Sequence, residues 1–192
     1  MLKIILLLVC FNTQILFAKA PLSNSNIDRL QWEVRTAPVA FLAKWLTLDF
    51  SYLPNQHWAF GPSIIRYGSE ETLGGMVYPT YNGWAYGAHI ILAHSLTENS
   101  PYISSHAYQE NYTSYPHAFL GQKDKSGSKI NLDVGYRLVW SNQYLSNLTM
   151  MFGIGLENSN HSVEEKPTNG VQSTYNEYSS VIHFEFKAGY MF

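Results

Sequence analysis

The carboxyl-terminal run of this chain alternates strictly. Ile182, Phe184, Phe186, Ala188, Tyr190 and Phe192 are apolar, and His183, Glu185, Lys187 and Gly189 stand between them. Period two marks a strand with two unlike faces. The segment 129–140 repeats the pattern, with Ile130, Leu132, Val134, Tyr136, Leu138 and Trp140 set against Asn131, Asp133, Gly135 and Arg137. So does 145–156, where Leu148, Met150, Phe152, Ile154 and Leu156 oppose Thr149, Met151, Gly153 and Gly155. Near the other end, Leu46, Leu48, Phe50 and Tyr52 alternate with Thr47, Asp49 and Ser51, and Trp32 and Val34 with Glu33 and Arg35. Alternation and turn signals together predict eight strands, at 31–40, 46–53, 57–67, 84–95, 102–110, 129–140, 145–156 and 178–192. Two of them alternate less cleanly. Pro62 interrupts the third because proline donates no ladder hydrogen bond, and Ser104-Ser105-His106 blurs the fifth.

The connections fall into two sets. Those after strands two, four and six are tight: Pro54-Asn55-Gln56, Thr97 to Pro101, and Ser141-Asn142-Gln143. Those after strands three, five and seven are long, about 68–83, 111–128 and 157–177, and rich in Gly, Ser, Asn, Thr and Tyr. Only Phe41 to Trp45 is a short connection on the long side. Short turns at one end and long loops at the other fit a barrel that crosses a membrane once per strand. The tryptophans agree: Trp32, Trp45, Trp58, Trp84 and Trp140 all fall at strand ends. Indole favours the boundary between lipid and water. With Tyr190 they define two expected aromatic girdles, which Tyr52, Tyr86 and Phe192 extend.

Alternation alone leaves open which face is inside. The polar face carries Gly, Ser and Thr with charges of both signs: Glu33, Arg35, Asp49, Asp133, Arg137, Glu185 and Lys187. A solvated exterior would carry more Lys and Glu and fewer glycines. An eight-stranded barrel is just wide enough for side chains to fill it. The polar face is therefore expected inside. In a closed barrel strands one and eight are neighbours, which brings Glu33 and Arg35 near Glu185 and Lys187. These charges, with His183, are expected to form a mutually neutralising network, since a buried charge without a partner is costly.

At 192 residues the chain suits one domain. Lys3, the apolar run Ile4 to Cys10 and Ala18-Lys19-Ala20 read as a signal peptide over 1–20, followed by a short periplasmic segment over 21–30 and a barrel over 31–192. Cys10 is the sole cysteine and lies in the segment to be removed, so no thiolate chemistry is expected after cleavage. A net charge of -2 without a basic stripe argues against nucleic acid as a partner.

An alternating last strand that closes on Phe192, with Tyr190 two residues before it, resembles the terminal strand of small eight-stranded bacterial outer-membrane β-barrel proteins, the OmpA, OmpX and OmpW-like barrels. That resemblance implies an all-β fold, an eight-stranded antiparallel up-and-down transmembrane β-barrel, integral to the bacterial outer membrane. It also implies that Tyr190 and Phe192 are read by the barrel-assembly machinery. Two enzyme families use barrels of this size, the lipid A deacylases and the lipid A palmitoyltransferase. The deacylase pattern places a histidine two residues before a serine, and none of the seven histidines here is followed so. The palmitoyltransferase begins with an amphipathic helix, for which Pro21 to Leu30 is too short and polar. No catalytic residue, cofactor or metal is expected. The leading expectation is a non-enzymatic barrel with a structural or surface-interaction role through its long loops; the alternatives are a lipid-modifying enzyme and a narrow channel for small solutes. Loop tyrosines 78, 81, 112, 115, 175 and 178 suit contact with an extracellular protein or glycan. Arg66 and Lys129, at outer strand ends, are placed to meet lipopolysaccharide phosphates among the membrane lipids.

Overall fold

The computed structural model describes residues 31–43, 45–73, 76–117, 121–140, 147–167 and 170–192. The expected signal peptide and periplasmic segment, 1–30, lie outside the described residues. The strands are β1 (Trp32–Thr36), β2 (Leu46–Asn55), β3 (Trp58–Leu73), β4 (Met76–Ala93), β5 (Ser100–His117), β6 (Gly121–Trp140), β7 (Leu148–Lys166) and β8 (Ser173–Met191), with a 3₁₀ helix at Pro38–Ala43. They form a closed barrel in sequence order, each strand antiparallel to its neighbours. Closure is made by β1 and β8, where Glu33 lies opposite Met191 and Thr36 opposite Ala188. Trp32 and Phe192 exchange both backbone hydrogen bonds at the foot of this seam, at 3.2 and 2.9 Å. No helix among the described residues is long and apolar enough to cross a membrane; every backbone polar group that meets lipid must then be satisfied between strands.

The two faces sort as the sequence predicts. Val34, Leu48, Phe50, Ile64, Ile90, Leu132, Val134, Phe152 and Ile154 stand exposed on the outer wall, whereas Glu33, Arg35, Asp49, Asp133 and Arg137 are at most 3% exposed inside. A water-soluble barrel would have the opposite arrangement, so the solvent that suits this exterior is lipid. The outer wall turns polar one step above Ile130, Leu156 and Ile182, where Ser128, Asn158 and Ser180 take the same outward positions. At the end where the chain termini lie, aromatic rings form a continuous belt across the seam. Trp32 stacks on Phe50 at 5.1 Å and meets Tyr52 at 4.8 Å, Phe50 approaches Phe192 at 6.2 Å, and Tyr52 meets Phe60 at 5.9 Å.

The strand boundaries differ from expectation in two ways. The first strand stops at Thr36 rather than at 40, because Pro38 offers no N–H and the chain coils into the 3₁₀ helix. The stretches expected as long loops, 68–83, 111–128 and 157–177, are largely strand. β3 and β4 stay paired to Leu73 and Met76, β5 and β6 to His117 and Gly121, and β6 and β7 to Gln122 and Lys166. Once both faces of a strand are wet, hydrophobic alternation vanishes although the hydrogen-bond ladder continues. Pro62 is accommodated where the β2–β3 partners break off at Asp49 and Ser63 and resume at Tyr52 and Phe60. The fifth strand is regular, with Ser104 and His106 inward and Ile103 outward.

Candidate functional site

The lumen is filled in layers. At the terminal end Leu53, Ala59, Ile91, Leu96, Tyr102, Met151 and Met191 form an apolar floor, with Ala93 and Val139 packed against it. Leu96 reaches this floor from the turn between β4 and β5, where its N–H donates to the Gln56 carbonyl at 2.5 Å. Pro54-Asn55-Gln56 makes its tight turn because the Asn55 side-chain oxygen accepts from the N–H groups of His57 and Trp58, at 2.8 and 3.1 Å.

Above the floor lies an ionic layer. Arg137 holds Glu33 with both terminal nitrogens, at 3.0 and 3.1 Å, and its Nε donates to the Leu96 carbonyl at 2.9 Å. Arg35 lies 3.9 Å from Glu33 and 3.7 Å from Asp49, and donates to the Ser51 hydroxyl at 2.8 Å. Lys187 bridges Asp49 at 2.8 Å and Glu185 at 2.9 Å, while the Tyr102 hydroxyl donates to Glu185 at 2.5 Å. His183 approaches Asp133 at 2.7 Å. All eight residues expected in the network therefore share one lumen, but the pairings run across it. The register sets Arg35 beside Gly189 and Glu33 beside Met191, so the two halves of the network are not direct β1–β8 neighbours. A side chain at 189 would strike the Arg35 Cγ, the Thr149 hydroxyl and the Glu33 carboxylate, so glycine there leaves room for the Arg35 stem.

Sequence reasoning missed several members. His89 is held between Ser51 and Ser63, one ring nitrogen to each hydroxyl at 2.8 Å, and Ser63 donates to Asp49 at 2.7 Å. This Ser–His–Asp set resembles a nucleophilic triad in chemistry, yet its residues are at most 4% exposed. Tyr102 and His106 were also missed, whereas Thr149, already on the polar face of the seventh strand, joins by donating to Glu33 at 2.5 Å. The inward parity of Ser63, Tyr102 and His106 follows from the strand register, which the irregular third and fifth strands obscured.

Towards the far end comes an aromatic ring. Tyr67, Tyr108, Ile65 and Ala85 are buried there, with Trp45 and Tyr112 packed against them. Trp45 was expected in the outer girdle. It instead has the inward parity of Thr47 and Asp49, and meets Tyr67 edge-on at 5.1 Å and Tyr81 at 6.0 Å. Trp84 is half exposed on the outer wall, with the Arg66 guanidinium 5.0 Å over its ring. Lys129 turns inward: it lies 2.8 Å from Glu110 and 3.8 Å from Glu157, and Glu110 also meets His161 at 2.8 Å. Tyr81 and Tyr112 belong to this ring, whereas Tyr178 stands out at 71% exposure.

Beyond the ring the long hairpins form a polar collar. Lys125 pairs with Glu177 at 2.9 Å, Lys123 with Glu165 at 3.4 Å, and Lys166 with Asp124 at 2.7 Å. The hydrogen bond from Lys125 holds the Glu177 carboxyl below its ordinary value. Partial burial works to raise Asp124, but hydrogen bonds from Lys166 and Thr113 outweigh it and leave its carboxyl lowered too.

No family model matches the chain, and no curated protein matches it. Among solved structures it is similar to the crystal structure of a major outer membrane protein from Thermus thermophilus, at 12% identity and a TM-score of 0.44, covering 85% of this chain and 100% of that one.

Proposed function

We propose that this protein is a non-enzymatic integral barrel of the bacterial outer membrane, which anchors a stiff polar collar above the lipid for contacts at the cell surface. The observation that carries this reading is the contrast along the barrel axis. The lumen is plugged at the terminal end by the apolar floor and the Glu33–Arg137–Arg35 layer, while paired hairpins rise well past the lipid-facing band. A barrel of this build carries little through its centre and presents a great deal at its rim. The partners it suits are membrane lipid and lipopolysaccharide along the wall, with an extracellular protein or glycan at the collar. Tyr190 and Phe192, paired at the closing seam, suit the role of assembly signal. The burial of His89 with its two serines speaks against a hydrolytic site there, and the full burial of Arg137, Leu96, Met151 and Met191 speaks against a solute path.

The test is made in cells and in bilayers. Surface biotinylation of intact cells should label a collar lysine such as Lys166 and leave Lys187 unlabelled, with the protein in the carbonate-resistant outer-membrane fraction. Planar bilayers should show no steady single-channel conductance. Protein that stays dissolved in buffer without detergent, or a steady conductance altered by Arg137→Ala, overturns the reading.

A further inference from the structure

Asp133 is set apart from the other buried acids of the inner wall. Glu33 has Arg137 and Arg35, Asp49 has Lys187 and Arg35, Glu185 has Lys187, and Glu110 has Lys129, each within 4.0 Å. Among the described residues the only basic groups within 4.0 Å of Asp133, 1% exposed, are imidazoles: His183 Nε2 at 2.7 Å and His106 Nδ1 at 3.8 Å. Neither of its carboxylate oxygens accepts a well-directed hydrogen bond. Around it other polar atoms are also without partners. The Ser104 hydroxyl, directly across the ladder from Asp133, is buried and unbonded, as are the Asn131 side-chain oxygen and His183 Nδ1. Gly155 leaves this room, because a side chain there would meet the Asp133 carboxylate.

A buried carboxylate with no lysine or arginine beside it and no well-directed hydrogen bond is costly. His106 Nε2 meets Lys187 at 2.6 Å and Asp49 at 3.4 Å, which leaves its Nδ1 turned towards Asp133. Ligand atoms of His106, Asp133 and Glu185 all lie within 4.8 Å of one another, as coordination of one ion requires. We propose that this part of the lumen binds one divalent transition-metal cation through His106 Nδ1, Asp133 and Glu185. An imidazole with two carboxylates suits zinc, nickel, cobalt or manganese rather than calcium. A metal at Nδ1 puts the His106 proton on Nε2, so the Lys187 ammonium, which can only donate, must give up its 2.6 Å contact with that atom. Lys187 then keeps Asp49 and Glu185 alone, leaving Asp49 to accept the Nε2–H and orient the ligating ring. His183, beside Asp133, is 24% exposed on its side chain.

The probe is cobalt(II), added to the EDTA-treated, detergent-solubilised full chain and followed by its visible ligand-field absorption and by metal analysis after desalting. One cobalt per chain, displaced by zinc, is expected. Asp133→Asn should abolish stoichiometric loading, and Asp49→Asn should weaken it by about 10–100-fold. Glu164→Gln, on the collar, should load as the parent does. Heat-modifiable gel mobility reports that each variant is folded. Should Asp133→Asn fail to fold, His106→Gln carries the test, since it removes one ligand and keeps the carboxylates. No saturable binding at millimolar cobalt overturns the proposal, as does parental affinity in Asp133→Asn or His106→Gln.

Discussion

The floor layer and the collar use the same residue types to opposite effect. Glu33, Arg35 and Arg137 are at most 1% exposed, and each charge reaches its partner through a dry interior. In the collar, Lys166 and its partners Asp124 and Glu164 are each about a third exposed or more. Water screens the second set and not the first, so an ion pair's place along the barrel axis decides what it is worth.

The comparison breaks most visibly at Arg137. Arg137→Met leaves Glu33 with the Thr149 hydroxyl and, as its sole cation, the distant Arg35, and should cost about 3–5 kcal/mol of unfolding free energy in a urea titration from lipid vesicles. An effect below about 1 kcal/mol would mean that water reaches the floor and screens the pair as it does at a surface. Next comes the outer wall, where Leu132→Arg puts a charge into the lipid-facing band and should cost about 2–4 kcal/mol in the same titration. The collar should respond least: Glu177→Gln removes an exposed pair and should shift stability by less than about 1 kcal/mol. Its pH response has a defined sign. The folded carboxyl is lowered by the hydrogen bond from Lys125, so what the pair contributes is present above the ordinary glutamate range and fades as pH falls through the lowered value. Carbon-13 titration of Glu177 should give a midpoint below that of a free glutamate and move back up in Lys125→Met.

Strand number, the inward set of charges and the pairing of Phe192 were legible in the sequence because lipid outside and salt bridges inside impose a sharp period of two. What escaped was written in weaker contrast. The hairpins above Ser128 and Asn158 are wet on both faces, so their pattern carries no hydrophobic period, and they look like loops. Trp45 sits at the right height, but facing had to be read from parity with Asp49 rather than from its place at a strand end. Ser63 and His106 lie on strands interrupted by Pro62 or by small polar residues, and His89 on β4 shares its face with Ala85, Gly87 and Ile91, so their parity could not be assigned until the register was known. The pairings inside the lumen depend on distances across the barrel, and nothing local in the chain encodes those.

β1 meets β8 over only five facing pairs, from Trp32–Phe192 to Thr36–Ala188, whereas β7 stays zipped to β8 from Tyr190 to Ser173. Breathing of the cylinder should therefore begin at this short joint. Amide deuterium uptake should start at Val34 and Thr36 before any other transmembrane strand, and a tether pulling on the amino-terminal segment would peel β1 away while the remaining seven strands still hold as one sheet.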